Sequence, residues 1–230
     1  MRRNPAISAA VLCGLLALVL GAPALLGRAA LGPDAALDAD RLYARGRRPP
    51  LPPFNDLTPI CLDLPRDLAF ARGLAAGRID HWNPLTGGGA PLWAEQGGPF
   101  FPLKLPFYLY PSPRTYDVFR LLRLAFAGLG AYLLARRRGL AVGPALVAGA
   151  LFELSGAMIA QLAFGSWSPT CVLPWLLLGA EMIAQRGAGR DVATAAAIVA
   201  VAASGGHPGM ALAVLAAFAA AIAGHAARCW

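Results

Sequence analysis

Apolar residues in this chain are gathered into six long blocks separated by arginines, glycines and prolines, not spaced with the alternation of a water-soluble core. The first covers about 6–26, and the others about 116–135, 142–163, 167–184, 192–204 and 210–226. An α-helix rises about 1.5 Å per residue, so ~20 such residues cross a hydrocarbon layer of about 30 Å. Six membrane-spanning helices are therefore predicted. Ala22, Pro23 and Ala24 also fit the small-residue pattern of a cleaved signal peptide. The apolar block runs on through Leu25 and Leu26, which favours an uncleaved anchor.

Between the first and second blocks, residues 28–115 carry most of the chain's Asp and Pro and have no run long enough to span. They form one long polar loop. Within it, 63–76 places Leu64, Leu68, Ala71 and Ala75 at helical intervals with Arg66, Asp67 and Arg72 elsewhere, the pattern of an amphipathic helix lying on a membrane surface. The chain thus divides into a first anchor at 1–27, an extracytoplasmic loop at 28–115, and a five-helix bundle at 116–230. The fold class is an all-α integral membrane protein.

Composition agrees: 57% of the 230 residues are hydrophobic and 14% are charged. The net charge of +8 comes from 19 Arg and one Lys against 12 Asp and Glu. These cations flank the apolar blocks and do not line a polar face, which argues against nucleic-acid binding and for contact with the lipid bilayer. Arg2 and Arg3, the Arg136, Arg137 and Arg138 cluster, Arg186 with Arg190, and Arg228 all fall on one side if the chain alternates across the membrane. By the positive-inside rule that side is cytoplasmic, which puts the N-terminus inside and the long loop outside. The loop's ten basic residues do not oppose this, because long loops cross largely regardless of charge. The turns at Gly165 to Trp167 and Gly205 to Pro208 then share the loop's compartment, so a site could be assembled from all three segments. The four cysteines show neither disulfide nor zinc spacing.

Several residues could carry chemistry there. Asp56, in the loop, could act as a general base or hold a divalent cation such as Mg or Mn, or simply cap a turn. Asp80, His81 and Trp82, with Glu95 beyond a triple glycine, combine carboxylates, an imidazole and an aromatic plate, the ingredients of a sugar site. Trp82 reads equally as an interfacial anchor. Asp63 and Asp67 read as helix caps. Arg120 and Arg123 share one helical face and suit a phosphate; the alternative is snorkelling, helped by an Asp117–Arg120 pair. Glu153 lies within a span, where a carboxylate is either functional or a structural link between helices. His207 is a polar turn residue that could also serve as a ligand or acid.

Asp56, the run from Gly77 to Leu92 with Trp82-Asn83-Pro84 and Gly89-Ala90-Pro91, Phe101-Pro102, the segment LFELSG from Leu151 to Gly156, Pro174-Trp175 and Gly206-His207-Pro208 together resemble the YfhO family of bacterial membrane proteins. That family is similar to the GT-C glycosyltransferases. The resemblance covers about 56–209 and implies a truncated GT-C-like fold, since the family's members continue through further spans. It also implies transfer of a sugar from a polyprenyl-phosphate-linked donor to a cell-envelope acceptor, with Asp56 near the reacting centre. Asp80, His81, Trp82, Glu95, Arg120, Arg123 and His207 would then bind substrate. A transporter or flippase component, or a non-catalytic assembly protein, are the alternative readings.

Overall fold

A computed structural model describes residues 5–26, 31, 58–83, 88–91 and 98–228. Asp56 and Glu95 lie outside the described residues. The elements in order are α1 (Pro5–Leu25), a π-turn (Pro59–Asp63) running into α2 (Leu64–Ala75), and a two-stranded antiparallel hairpin of β1 (Trp82–Asn83) and β2 (Ala90–Pro91). A 3-10 turn (Pro102–Lys104) then leads through α3 (Leu105–Leu109), α4 (Pro113–Arg137), α5 (Val142–Glu153), α6 (Gly156–Ala160), α7 (Pro169–Arg186) and α8 (Gly189–Ala203) to α9 (Pro208–Ala226). The described residues are thus mostly helical, as the apolar blocks predict.

Among the described residues four helical stretches are long and apolar enough to cross a membrane: Ile7–Leu25, Arg114–Arg137, Val142–Ala160 and Pro208–Ala226. Two of the six expected spans fall short of that standard. α7 ends on Glu181, Gln185 and Arg186, which dilute its apolar run. α8 has 15 residues, about 22 Å at 1.5 Å per residue, less than the hydrocarbon core.

The helix ends are written into the sequence. Ser112 caps α4: its hydroxyl accepts from the Thr115 N–H at 3.2 Å, the Thr115 hydroxyl oxygen accepts from the Ser112 N–H at 3.1 Å, and Pro113 follows at the first helical position. At the other end Gly139 takes φ +90°, so the Leu140 N–H can reach the Ala135 carbonyl at 3.1 Å and close the helix. The expected span at 142–163 is interrupted: Ser155 adopts an extended conformation and its hydroxyl accepts from the Met158 N–H at 3.4 Å, starting α6 afresh.

α4 is the central helix. Just over half of its spanning stretch, 56%, is buried within the protein, against 28% for α1 and 11% for α9. It packs on α1, α5 and α7. Small residues set these approaches: a Cβ on Gly149 of α5 would stand 2.9 Å from the Gly128 carbonyl of α4, so the two backbones touch. On the other flank the Trp175 indole of α7 stacks on Phe126 at 4.7 Å and donates to the Phe126 carbonyl at 2.9 Å. The largest core cluster includes Phe107, Tyr116, Phe119, Leu124, Val172 and Leu176.

Two ends of the bundle differ in chemistry. Arg138 pairs with Glu181 at 2.9 Å, His225 lies 3.5 Å from the same carboxylate, and Arg228 contacts His225, which gathers the ends of α4, α7 and α9. Ala9 of α1 packs there with Tyr132, Ala135 and Ala145. The opposite end receives the polar loop.

Candidate functional site

One face of α4 organises the loop end. Tyr116, Phe119, Arg120 and Arg123 follow the helical i, i+3, i+4, i+7 rule and are all buried. Arg120 donates to Asp117 at 2.7 Å and lies 4.7 Å over the Tyr116 ring. Arg123 lies 4.9 Å over Phe119 and donates to the carbonyls of Phe164, at 2.6 Å, and Leu162. Its fork therefore holds the segment joining α6 to α7. The pair expected to face a lipid phosphate is turned inward onto protein acceptors; the Asp117–Arg120 pair is present, but neither arginine snorkels outward as the alternative reading expected.

α2 and α3 dock on the same face through buried charge. Lys104, the chain's one lysine, is fully buried and donates to Asp67 Oδ1 at 2.7 Å. The Tyr116 hydroxyl donates to Asp67 Oδ2 at 3.1 Å, and the Tyr108 hydroxyl approaches Oδ1 at 3.4 Å. Asp63, also fully buried, accepts from the Ser166 N–H at 3.2 Å. Asp63 makes no helix-cap bond, so its expected capping role is replaced by a link to a residue 103 positions away. Among the described residues three carboxylates and three cations thus meet in a buried joint, where breaking one pair strands its partner. Burial pushes the Asp67 carboxyl above the usual carboxylate range, and the Lys104 ammonium and the Tyr116 hydroxyl pull it back. Burial, then the neighbouring Asp67 charge, holds the Tyr108 hydroxyl well above its ordinary range.

The two turns expected to share the loop's compartment do meet it. The Ser166 carbonyl accepts from the His207 N–H at 2.8 Å, and Trp167 bridges to Gly206. Gly98 lies against them at φ +58°, where a Cβ would stand 2.5 Å from the Gly206 nitrogen, so only glycine lets the loop backbone close on this turn. His207 caps α9, with Nδ1 accepting from the Gly209 N–H at 3.1 Å. In the neutral ring the proton is then on Nε2.

Beside this junction is an open cavity of about 540 Å³ lined by His81, Gly98, Pro99, Phe100, Ser204 and Gly206, with Ala203 below. The volume suits a small organic ligand. His81 is the one expected site residue on its described wall. Trp82 is exposed on the hairpin, its indole lying over Gly89 at φ +111°. Asp80 is half-exposed and 3.4 Å from Arg78. His207 adjoins the cavity through its neighbour Gly206, whereas Arg123 lines a separate void too small for a ligand. No group of three or more His, Cys, Asp or Glu side chains that could hold a metal ion is present among the described residues; Asp56, where Mg or Mn is expected, lies outside them. Cys13, Cys61 and Cys171 are free thiols.

Sequence reasoning missed Lys104, and a signal for it exists: a lone lysine inside the run FFPLKLPFYL must find a buried partner or leave the apolar face. It also read Asp63 and Asp67 locally, although their partners come from α3, α4 and the α6–α7 connection.

Neither a curated protein nor a solved structure matches this chain. One family does, over residues 104–225, more than half of the chain, and it is described as a 6-pyruvoyl-tetrahydropterin synthase related domain of membrane proteins. The match begins at the buried lysine and takes in α3 to α9 up to the last turn. With its several apolar helices, this multi-pass membrane protein belongs to the 6-pyruvoyl-tetrahydropterin synthase related domain family.

Proposed function

We propose that the protein is a membrane glycosyltransferase of GT-C-like type, resembling the YfhO family, that transfers a sugar from a polyprenyl-phosphate-linked donor to a cell-envelope acceptor. The loop end of the bundle faces away from the cytoplasm, and the arginine-rich end faces in. The observation that carries the reading is the cavity at the loop end: three segments far apart in sequence meet beside it, and an imidazole and an aromatic ring stand on its wall. Sugar rings stack on aromatic faces and their hydroxyls bond to imidazole and backbone groups, which such a wall supplies.

In the proposed reaction an acceptor hydroxyl gives its proton to Asp56 as its oxygen bonds to the anomeric carbon. The bond from that carbon to the phosphate oxygen breaks, and the polyprenyl phosphate leaves with the electron pair. His81 orients the sugar or acceptor. Asp80, Trp82, Glu95 and His207 bind the substrate, with His207 offering an Nε2–H donor. Arg120 and Arg123 act as positioning residues, through Asp117 and the 162–164 carbonyls, and not as phosphate ligands. No step is assigned to a metal ion.

The test is transfer of radiolabelled sugar from a panel of polyprenyl-phosphate donors to a cell-envelope acceptor fraction, with full-length protein in lipid vesicles. Loss of a positioned base lowers rates by about 10²–10⁴-fold, so Asp56→Asn is expected to reduce transfer at least a hundredfold. His81→Ala is expected to raise KM more than it lowers kcat. Unchanged transfer by Asp56→Asn would remove that residue from the mechanism. Absence of transfer from every donor by the wild-type protein would overturn the reading itself.

A further inference from the structure

Glu153 is the single ionisable residue of the spanning stretch Val142–Ala160. Only 22% of that stretch is buried within the protein, yet the Glu153 side chain has no exposure at all. The helix therefore turns most of its surface outward and directs its one carboxyl inward. Three helices build the place that receives it. Gly128 of α4 leaves the space: a Cβ there would collide with Glu153 Oε2 and stand 3.2 Å from the Sγ of Cys13 in α1. Cys13 is itself 3% exposed.

The described surroundings offer no counter-charge. From α1 the facing titratable group is the Cys13 thiol; from α4 it is a bare glycine; α5 and α6 carry no second ionisable side chain. Neither carboxyl oxygen has a hydrogen-bond partner of normal geometry, and no Lys, Arg or His among the described residues pairs with it. An ionised carboxylate in such a place would have neither water nor a cation, whereas a neutral carboxyl avoids that cost. Ionisable groups inside membrane bundles are where proton binding and transfer take place.

We propose that Glu153 is a proton-binding site inside the bundle, occupied at neutral pH, with the Cys13 thiol as its one polar neighbour among the described residues. The ligand is the proton: one carboxyl and one thiol are too few for a hard divalent cation, which takes six or more oxygens. The site stands at the α1–α4–α5 junction, apart from the loop-end cavity, and does not depend on the sugar-transfer reading.

Infrared difference spectroscopy on the full-length protein in lipid vesicles at neutral pH reads this directly. Subtracting Glu153→Gln from wild type is expected to leave a carboxylic-acid C=O band that fades on titration to alkaline pH. Cys13→Ser is expected to move that band to lower frequency, because a hydroxyl is a stronger donor than a thiol. This second variant keeps the test alive should Glu153→Gln fail to fold. Carboxylate bands in place of the acid band at neutral pH would show Glu153 ionised and overturn the proposal, and a band indifferent to Cys13→Ser would remove the thiol from the site.

Discussion

The two ends of the bundle use the same residue types in opposite ways. At the arginine-rich end, Arg138 reaches Glu181 with 53% of its side chain exposed, and Arg136, Arg186, Arg190 and Arg228 are exposed around it. At the loop end, Arg120, Arg123 and Lys104 are buried and every one has a protein acceptor. The first set is suited to lipid headgroups and to fixing topology. The second set is a joint that fastens the polar loop to α4. Counting arginines beside apolar blocks treats both alike; burial and partner separate them, because a charge in a dry joint is worth several times one in water.

Substitutions at the two ends should differ accordingly. The largest effect is expected at Lys104: replacing it with Met strands Asp67 in the interior, at a cost of about 3–5 kcal/mol, read as a lowered unfolding midpoint in detergent and as loss of α2 protection in hydrogen exchange. Next is Arg123→Leu, which uncaps the carbonyls of Leu162 and Phe164; charge-assisted bonds of this kind contribute about 1.5–3 kcal/mol, and the α6–α7 connection should exchange faster. Gly98→Ala forces a Cβ into the Gly206 backbone at a left-handed φ, a strain of about 1–3 kcal/mol, with an altered cavity wall read by ligand or transfer assays. The smallest is Arg138→Gln, where an exposed pair is worth less than about 1 kcal/mol. Equal losses for Lys104→Met and Arg138→Gln would erase the distinction between the two ends.

The apolar blocks made α1, α4, α5 and α9 legible, because a membrane span is a property of composition over a contiguous window. A helix in the loop was legible too, expected at 63–76 and found at Leu64–Ala75, but its Asp67, read as part of a polar face above a membrane surface, is buried against Lys104 and Tyr116. What the window hides is local chemistry that interrupts it. Ser155 recaps the chain and splits one block into α5 and α6, and the polar last turns of α7 keep it from meeting the standard of a span. The hairpin at Trp82 and Ala90 is two residues deep on each side, below anything an alternating pattern can signal. The loop-end meeting of Asp63, Ser166, Gly98 and Gly206 followed from topology as a shared compartment, but the pairings did not, since contacts across about a hundred residues leave no periodic trace. His81, expected for its chemistry, stands on the cavity wall; Arg120 and Arg123, expected from one shared helical face to meet a phosphate, are buried on protein acceptors.

The most direct measurement is a pair of double-mutant cycles on unfolding in detergent, one on Lys104 and Asp67 with Met and Asn, the other on Arg138 and Glu181 with Gln at both. A buried joint at the loop end predicts a coupling of about 2 kcal/mol or more for the first cycle and less than about 1 kcal/mol for the second. A first coupling near zero, or one no larger than the second, would contradict the claim that paired charges fasten the loop to α4 beside the cavity.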